Sequence, residues 1–129
     1  MSSIRAVMTT DIIAVYPHTS TRDALELLVT HKISGLPVVN EDDQIVGVLS
    51  EMDLLKVFYE DGIDTVEHLM TRDPRSFHVG DSLVEVVDCL MSNNFRRVLI
   101  HDKGKLVGLI SRADLMPAIL ESLIERSSN

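Results

Sequence analysis

Two stretches of this chain place a hydroxyl three residues before a carboxylate: Ser50-Glu51-Met52-Asp53 and Ser111-Arg112-Ala113-Asp114. Each is preceded by Gly and two apolar residues, Gly47-Val48-Leu49 and Gly108-Leu109-Ile110, and followed by Leu54 or Leu115. An apolar pair behind a Gly reads as the end of a buried strand. Ser is a preferred helix N-cap, because its hydroxyl accepts a hydrogen bond from an orphan N–H of the first turn. Asp three residues on lies in that turn, where a negative charge suits the helix dipole. Each copy is therefore expected to be a strand end, a Ser cap and a helix start. The hydroxyl and carboxylate then lie together at the strand's C-terminal edge, where ligands bind in open α/β layers. A capping box with Asp in place of Glu accounts for one such copy. Two copies in matching contexts point to function as well as to capping.

The other chemistry-bearing residues give no enzyme. Neither Ser50 nor Ser111 has an adjacent His or a Gly-x-Ser-x-Gly elbow. His18, His31, His68, His78 and His101 are scattered, with no metal-ligand spacing. His31 and His101 read as surface residues at element ends. Cys89 falls on the apolar face of its predicted helix and reads as an inert core thiol. No Gly-rich phosphate loop is present. The expectation is a non-catalytic protein without a metal or a required cofactor.

Composition bounds the class. The 129 residues carry a net charge of −8, which argues against a nucleic-acid binder, since that needs a basic face. Small anions held by a few local cations are still allowed. No apolar run approaches membrane-spanning length, and the N-terminus has no signal-peptide pattern. With one cysteine there is no internal disulfide, which points to a reducing, cytoplasmic setting. Aromatics are only 4%, so the core must be aliphatic.

The elements that position the two motifs come from an internal repeat. Met8-Thr9-Thr10-Asp11 matches Met70-Thr71-Arg72-Asp73 at an offset of 70 − 8 = 62, and Ser20 matches Ser82 at the same offset. Gly47 matches Gly108 at 108 − 47 = 61, so one residue is lost between Asn40 and Lys105, in a turn. The repeats are read as 1–62 and 63–129, each too small to bury enough surface alone and so packed as one body. In repeat 1 the expected order is a strand over 12–16 ended by Pro17, then a helix capped by Thr19 or Ser20 through His31 and closed near Gly35. A hairpin of strands 36–39 and 45–49 follows, then a helix from Glu51 to about Tyr59. Repeat 2 gives a helical lead-in over 66–70, a strand over 76–78 and a helix capped by Asp81 or Ser82. Its hairpin strands are 97–101 and 106–110, and its last helix follows Ser111. Pro117 should kink that helix or delay its start, and the tail 126–129 should fray. The fold class is α/β of the α+β kind, β-α-β-β-α given twice.

This arrangement resembles a tandem pair of cystathionine-β-synthase (CBS) domains, the Bateman module. The segments Met8–Ile13, Ile33–Val39 and Gly47–Leu54 carry the resemblance, with their repeat-2 equivalents. Repeat 2 departs from it at Leu99, where repeat 1 has Pro37, and at Arg96-Arg97, where repeat 1 has Ser34-Gly35. The resemblance implies two repeats about a pseudo-twofold axis, with two shared clefts for adenosine ligands: AMP, ADP, ATP or S-adenosylmethionine. The Asp of each Ser-x-x-Asp motif would take the ribose hydroxyls, since a carboxylate accepts two hydrogen bonds and a vicinal diol offers two. One cleft would join Ser50 and Asp53 with Thr71, Phe95, Arg96 and Arg97. The other would join Ser111 and Asp114 with Thr9, Ile13, Ile33 and Ser34. Phe95 would flank adenine, and the two guanidinium groups would fork onto phosphate, so the Asp53 cleft should bind phosphorylated ligands more tightly. Ile13 and Ile33 also read as core.

The function implied is a regulatory nucleotide-binding module acting through its conformation or a protein partner. The alternative is an assembly module with degenerate, empty clefts. Paired modules of this kind commonly dimerise through the helices after the motifs. Those helices carry surplus apolar residues here, including Leu54, Leu55, Val57, Phe58, Tyr59, Leu115, Ile119, Leu120, Leu123 and Ile124. A homodimer is therefore expected.

Overall fold

The computed structural model describes residues 2–127. In chain order the elements are α1 (Ile4–Val7), α2 (Thr21–His31), β1 (Gly35–Val39), β2 (Ile45–Ser50), α3 (Glu51–Leu55) with a 3₁₀ turn Lys56–Phe58, and α4 (Val66–Leu69). Then follow β3 (Thr71–Arg72), β4 (Ser76–His78), α5 (Leu83–Asn93), β5 (Arg97–Asp102), β6 (Lys105–Ser111) and α6 (Arg112–Ser127). The fold is mixed α+β with two three-stranded sheets, β1-β2-β3 and β4-β5-β6.

The compact units do not coincide with the repeats. One unit is 1–12 with 75–129, and the other is 13–74. The cause is strand pairing. In the second unit β3, the lead-in of repeat 2, pairs antiparallel with β2 of repeat 1, Val48 opposite Thr71. In the first unit Thr9, the lead-in of repeat 1, bridges Leu109 on β6 of repeat 2. The Thr9 N–H donates to the Leu109 carbonyl at 2.8 Å, and the Leu109 N–H donates back at 3.0 Å. Each unit is thus completed by the lead-in of the other repeat. The boundary between 62 and 63 marks the sequence repeat, and the exchanged segments shift the units by twelve residues.

Each unit has its own aliphatic core. In the first, Ile4 is fully buried with Leu83, Val86, Leu90, Val98, Ile100, Ile110 and Leu115. In the second, Val66 is fully buried with Val15, Ala24, Leu28, Leu36, Val38, Leu49 and Leu54. Ile4 and Val66 are repeat equivalents, 66 − 4 = 62. The lead-ins also explain the motif glycines. A Cβ on Gly47 would lie 2.9 Å from both Met70 Sδ and the Thr71 carbonyl, and one on Gly108 would meet the Met8 side chain.

Most expected elements form, with instructive exceptions. Residues 12–16 make no strand: only Val15 pairs, in a parallel bridge with Val38, donating to Pro37 O at 3.0 Å and accepting from Val39 N at 2.9 Å. Pro17 follows too closely for a longer ladder. The helix after Ser50 turns 3₁₀ at Lys56, where Val57, Phe58 and Tyr59 are weak helix formers. Lys32, in the left-handed region at φ 53°, closes α2, so Gly35 instead begins β1. Its equivalent Asn94 closes α5 at the same φ of 53°. The lost residue lies where expected: Asp102 pairs with Lys105 across a two-residue turn. Lys103 and Gly104 there have φ of 53° and 82°, as a tight hairpin turn of right-handed twist needs. Pro117 does not delay α6, which begins at Arg112 and runs through it. Of the expected frayed tail, Arg126 and Ser127 are helical, and Ser128 and Asn129 lie outside the described residues. Cys89 is buried as expected.

The exchanged lead-in yields a stability prediction. Ile4→Ala should destabilise the protein by about 2–5 kcal/mol in urea denaturation, as for a central core residue and despite its place near the chain start.

Candidate functional site

The motif serines act as caps, as their spacing requires. Ser50 Oγ accepts from the Asp53 N–H at 3.2 Å, and the Asp53 carboxylate accepts from the Ser50 N–H at 2.9 Å, completing a capping box. Ser50 Oγ–H also donates to Asp53 Oδ2 at 3.0 Å. Ser111 Oγ likewise accepts from the Asp114 N–H at 3.3 Å, and Asp114 Oδ2 accepts from the Ser111 N–H at 2.8 Å. In each case the strand delivers Ser to the helix start, and the capping bonds fix the carboxylate beside it.

The two carboxylates differ in their remaining partners. Asp53 is buried, 9% exposed, and its Oδ2 accepts from both the Ser50 N–H and the Ser50 hydroxyl. Asp114 is half-buried and accepts a second bond on Oδ1, from the Thr9 hydroxyl at 3.2 Å. Thr9 and Asp114 are 105 residues apart in the chain. Thr71, the repeat equivalent of Thr9, is exposed beside β2, opposite Val48.

The expected site residues divide evenly between the units. Thr9, Phe95, Arg96, Arg97, Ser111 and Asp114 belong to the first, and Ile13, Ile33, Ser34, Ser50, Asp53 and Thr71 to the second. Each cleft implied by the resemblance takes three residues from each. Within the first unit, β5 and β6 pair so that Arg97 stands directly opposite Ser111. The Arg96 carbonyl accepts the Arg112 N–H at 3.2 Å. The Arg112 guanidinium donates to the Phe95 carbonyl at 3.0 Å and to Asn94 Oδ1 at 2.7 Å. The cations thus flank the Ser111–Asp114 motif of their own unit. Within the second, Gly35 stands opposite Ser50, and the Ser34 carbonyl accepts the Glu51 N–H at 3.1 Å. Ile13 and Ile33 pack against that unit's core.

Three features were not read from the sequence: the Arg97–Ser111 pairing, the Arg112 bonds and the Thr9–Asp114 bond. Counting back from the two-residue turn at Lys103-Gly104 would have set Ser111 opposite Arg96, because the register shifts by one between Ile100 and His101. The Thr9–Asp114 bond has no local signal, since only the exchange of the lead-in creates it.

The CBS domain family model matches residues 4–60 and 66–121. The chain belongs to the CBS domain family. It is 28% identical over 122 residues to a 17.7 kDa protein of Acidianus ambivalens, covering 93% of this chain and 74% of that one. It is 29% identical over 111 residues to the inosine-5′-monophosphate dehydrogenase of Methanocaldococcus jannaschii, covering 85% of this chain but only 22% of the enzyme. The crystal structure of CBSX2 in complex with AMP superimposes with TM-score 0.85 at 33% identity, covering 94% of this chain and 98% of that one. CBSX2 is a CBS-pair protein from Arabidopsis thaliana.

Among the described residues no group of three or more His, Cys, Asp or Glu is arranged to hold a metal ion, and no helix is long and apolar enough to cross a membrane.

The capping geometry separates the two serines. Ser50→Ala removes a cap bond and the hydroxyl bond to Asp53, whereas Ser111→Ala removes a longer cap bond alone. Ser50→Ala should cost about 1–2 kcal/mol in urea denaturation, and Ser111→Ala about 1 kcal/mol or less.

Proposed function

We propose that this CBS pair is a regulatory module that binds an adenosine nucleotide through Asp53 and Asp114 and signals by its conformation or to a protein partner. The observation that carries this reading is the doubled Ser-x-x-Asp motif. Two strand ends each present a carboxylate already oriented by capping bonds. A carboxylate has about four lone-pair positions, and two bonds to the protein leave room for the two hydroxyls of a ribose. The likeness to CBSX2, solved with AMP, supports AMP as the first ligand to try. ADP, ATP and S-adenosylmethionine remain in the panel.

The net charge of −8 repels a phosphate, so local cations must hold it. We assign that task to Arg97 and Arg96. The strand register places Arg97 beside Ser111 and supports a phosphate held together with Asp114, which reverses the ranking expected from the sequence. Phe95, 38% exposed, is the proposed adenine neighbour. At the Asp53 motif Ser34 offers a neutral hydroxyl, and Thr71, Ile13 and Ile33 complete that set.

A second copy of the chain is the proposed cover for the apolar residues after each motif. Phe58 and Tyr59 are 87% and 89% exposed, and Leu120 on α6 is 60% exposed. Single apolar residues are common on surfaces, but runs of this kind mark association sites.

Calorimetric titration with AMP and with adenosine tests the ligand reading. Arg97→Ala should weaken AMP by about tenfold or more and leave adenosine nearly unchanged, since a hydrogen bond to a charged group is worth about 1.5–3 kcal/mol. Asp114→Ala should remove the AMP signal that Arg97 shares. Loss of that signal in Asp53→Ala, with Asp114→Ala unaffected, would reverse the assignment. No binding of any panel member at millimolar concentration would favour the assembly module. Light scattering should give twice the 14.4 kDa chain mass, and Leu120→Asp should shift it toward one.

A further inference from the structure

We propose that Thr9 couples occupancy of the Asp114 carboxylate to docking of the N-terminal segment 2–10, so that a ligand held by Asp114 clamps that segment onto its unit. The inference rests on the reading of Asp114 as a ligand-holding carboxylate.

The segment is docked by a short set of contacts. Ile4 is fully buried in the core of the unit. The Met8 side chain packs on Gly108, and Thr9 exchanges two backbone hydrogen bonds with Leu109. The Thr9 hydroxyl adds the one bond from the segment to a motif carboxylate, reaching Asp114 Oδ1 at 3.2 Å. A groove of about 330 Å³ opens beside that carboxylate. One wall is the segment, through Ser2, Ala6 and Val7, and the other is α6, through Asp114, Pro117 and Glu121. Asp114 thus belongs both to the proposed ligand set and to the lining that the segment shares with α6.

The carboxylate links the two events. It accepts bonds from Thr9 and from the Ser111 N–H and has positions left for a diol, so a ligand adds to the Thr9 bond without displacing it. A ligand that holds the carboxylate in place favours the conformations in which Thr9 reaches it. Such coupling is reciprocal: the docked segment tightens the ligand by the factor with which the ligand tightens the segment. The Asp53 side has a different arrangement, because Ser50 supplies both bonds to Asp53 Oδ2 and Thr71 is exposed. Thr9 is thus a positioning residue that acts through Asp114.

Amide hydrogen exchange at Met8 and Thr9, read against Leu99 in β5, tests the coupling in the full chain with AMP and with S-adenosylmethionine. Bound AMP should slow the Thr9 amide by about tenfold more than the Leu99 amide. Thr9→Val should weaken AMP by about the same factor and remove the slowing. Thr9→Ser, which keeps the hydroxyl, should retain both, and Thr30→Val, on the exposed face of α2, should change neither. If Thr9→Val does not fold, wild type and Thr9→Ser with and without ligand still decide the matter. Calorimetric binding of AMP with no selective slowing at Thr9 overturns the coupling and leaves the proposed function standing. Failure of both ligands to bind overturns both.

Discussion

The structure depends on one pairing made twice: a lead-in of a few residues lies against the last strand of the other repeat's hairpin. Thr9 bridges Leu109, and Thr71 pairs with Val48. Those hairpin strands would otherwise be sheet edges with unpaired backbone groups, which proteins must cover. The lead-in covers them, drops an aliphatic side chain into the core at Ile4 or Val66, and lays a methionine on the motif glycine. Close approach explains the glycines better than backbone freedom does. Gly47 and Gly108 are absent from the positive-φ positions, and a Cβ on either would collide with the lead-in.

The same motif performs two jobs. Ser50 and Ser111 satisfy orphan N–H groups of α3 and α6, and the aspartates answer with bonds to the Ser N–H groups. These bonds keep each carboxylate from rotating toward bulk water, so a ligand at the site proposed above would meet an acceptor already oriented. Less ordering is then lost on binding, which is how preorganised sites gain affinity. The cost of burying a carboxylate is met by the same bonds. At Asp53, where the group is only 9% exposed, the bonds that cap α3 are also the ones that hold the carboxylate in place.

The two units share a plan and differ in chemistry. Each has a hairpin, a helix closed by a left-handed residue and a capped motif. Beside Ser50 stands Gly35, and beside Ser111 stands Arg97. Asp114 accepts a bond from Thr9, whereas Asp53 takes both of its bonds from Ser50. In a chain of net charge −8, such local differences decide where an anion can be held.

The sequence by itself determined the repeat, the helix–hairpin–helix order within it, the cap at Ser50 and the turn that lost a residue, and it narrowed the other caps to Thr19 or Ser20 and to Asp81 or Ser82. These are local matters: period, cap chemistry and turn composition act over a few residues and read directly from them. No lead-in helix was expected at α1, although Ile4 stands at the repeat offset from Val66. The tertiary structure alone decided which lead-in completes which sheet, and with it the buried place of Ile4 and the bond from Thr9 to Asp114. It also decided that residues 12–16 contribute only Val15 to a sheet, in a bridge with Val38 that Pro17 cannot extend. Pairing between residues a hundred positions apart leaves no period and no cap in the sequence. It follows from which exposed edge each segment can reach and cover, and that is settled only when the chain has folded.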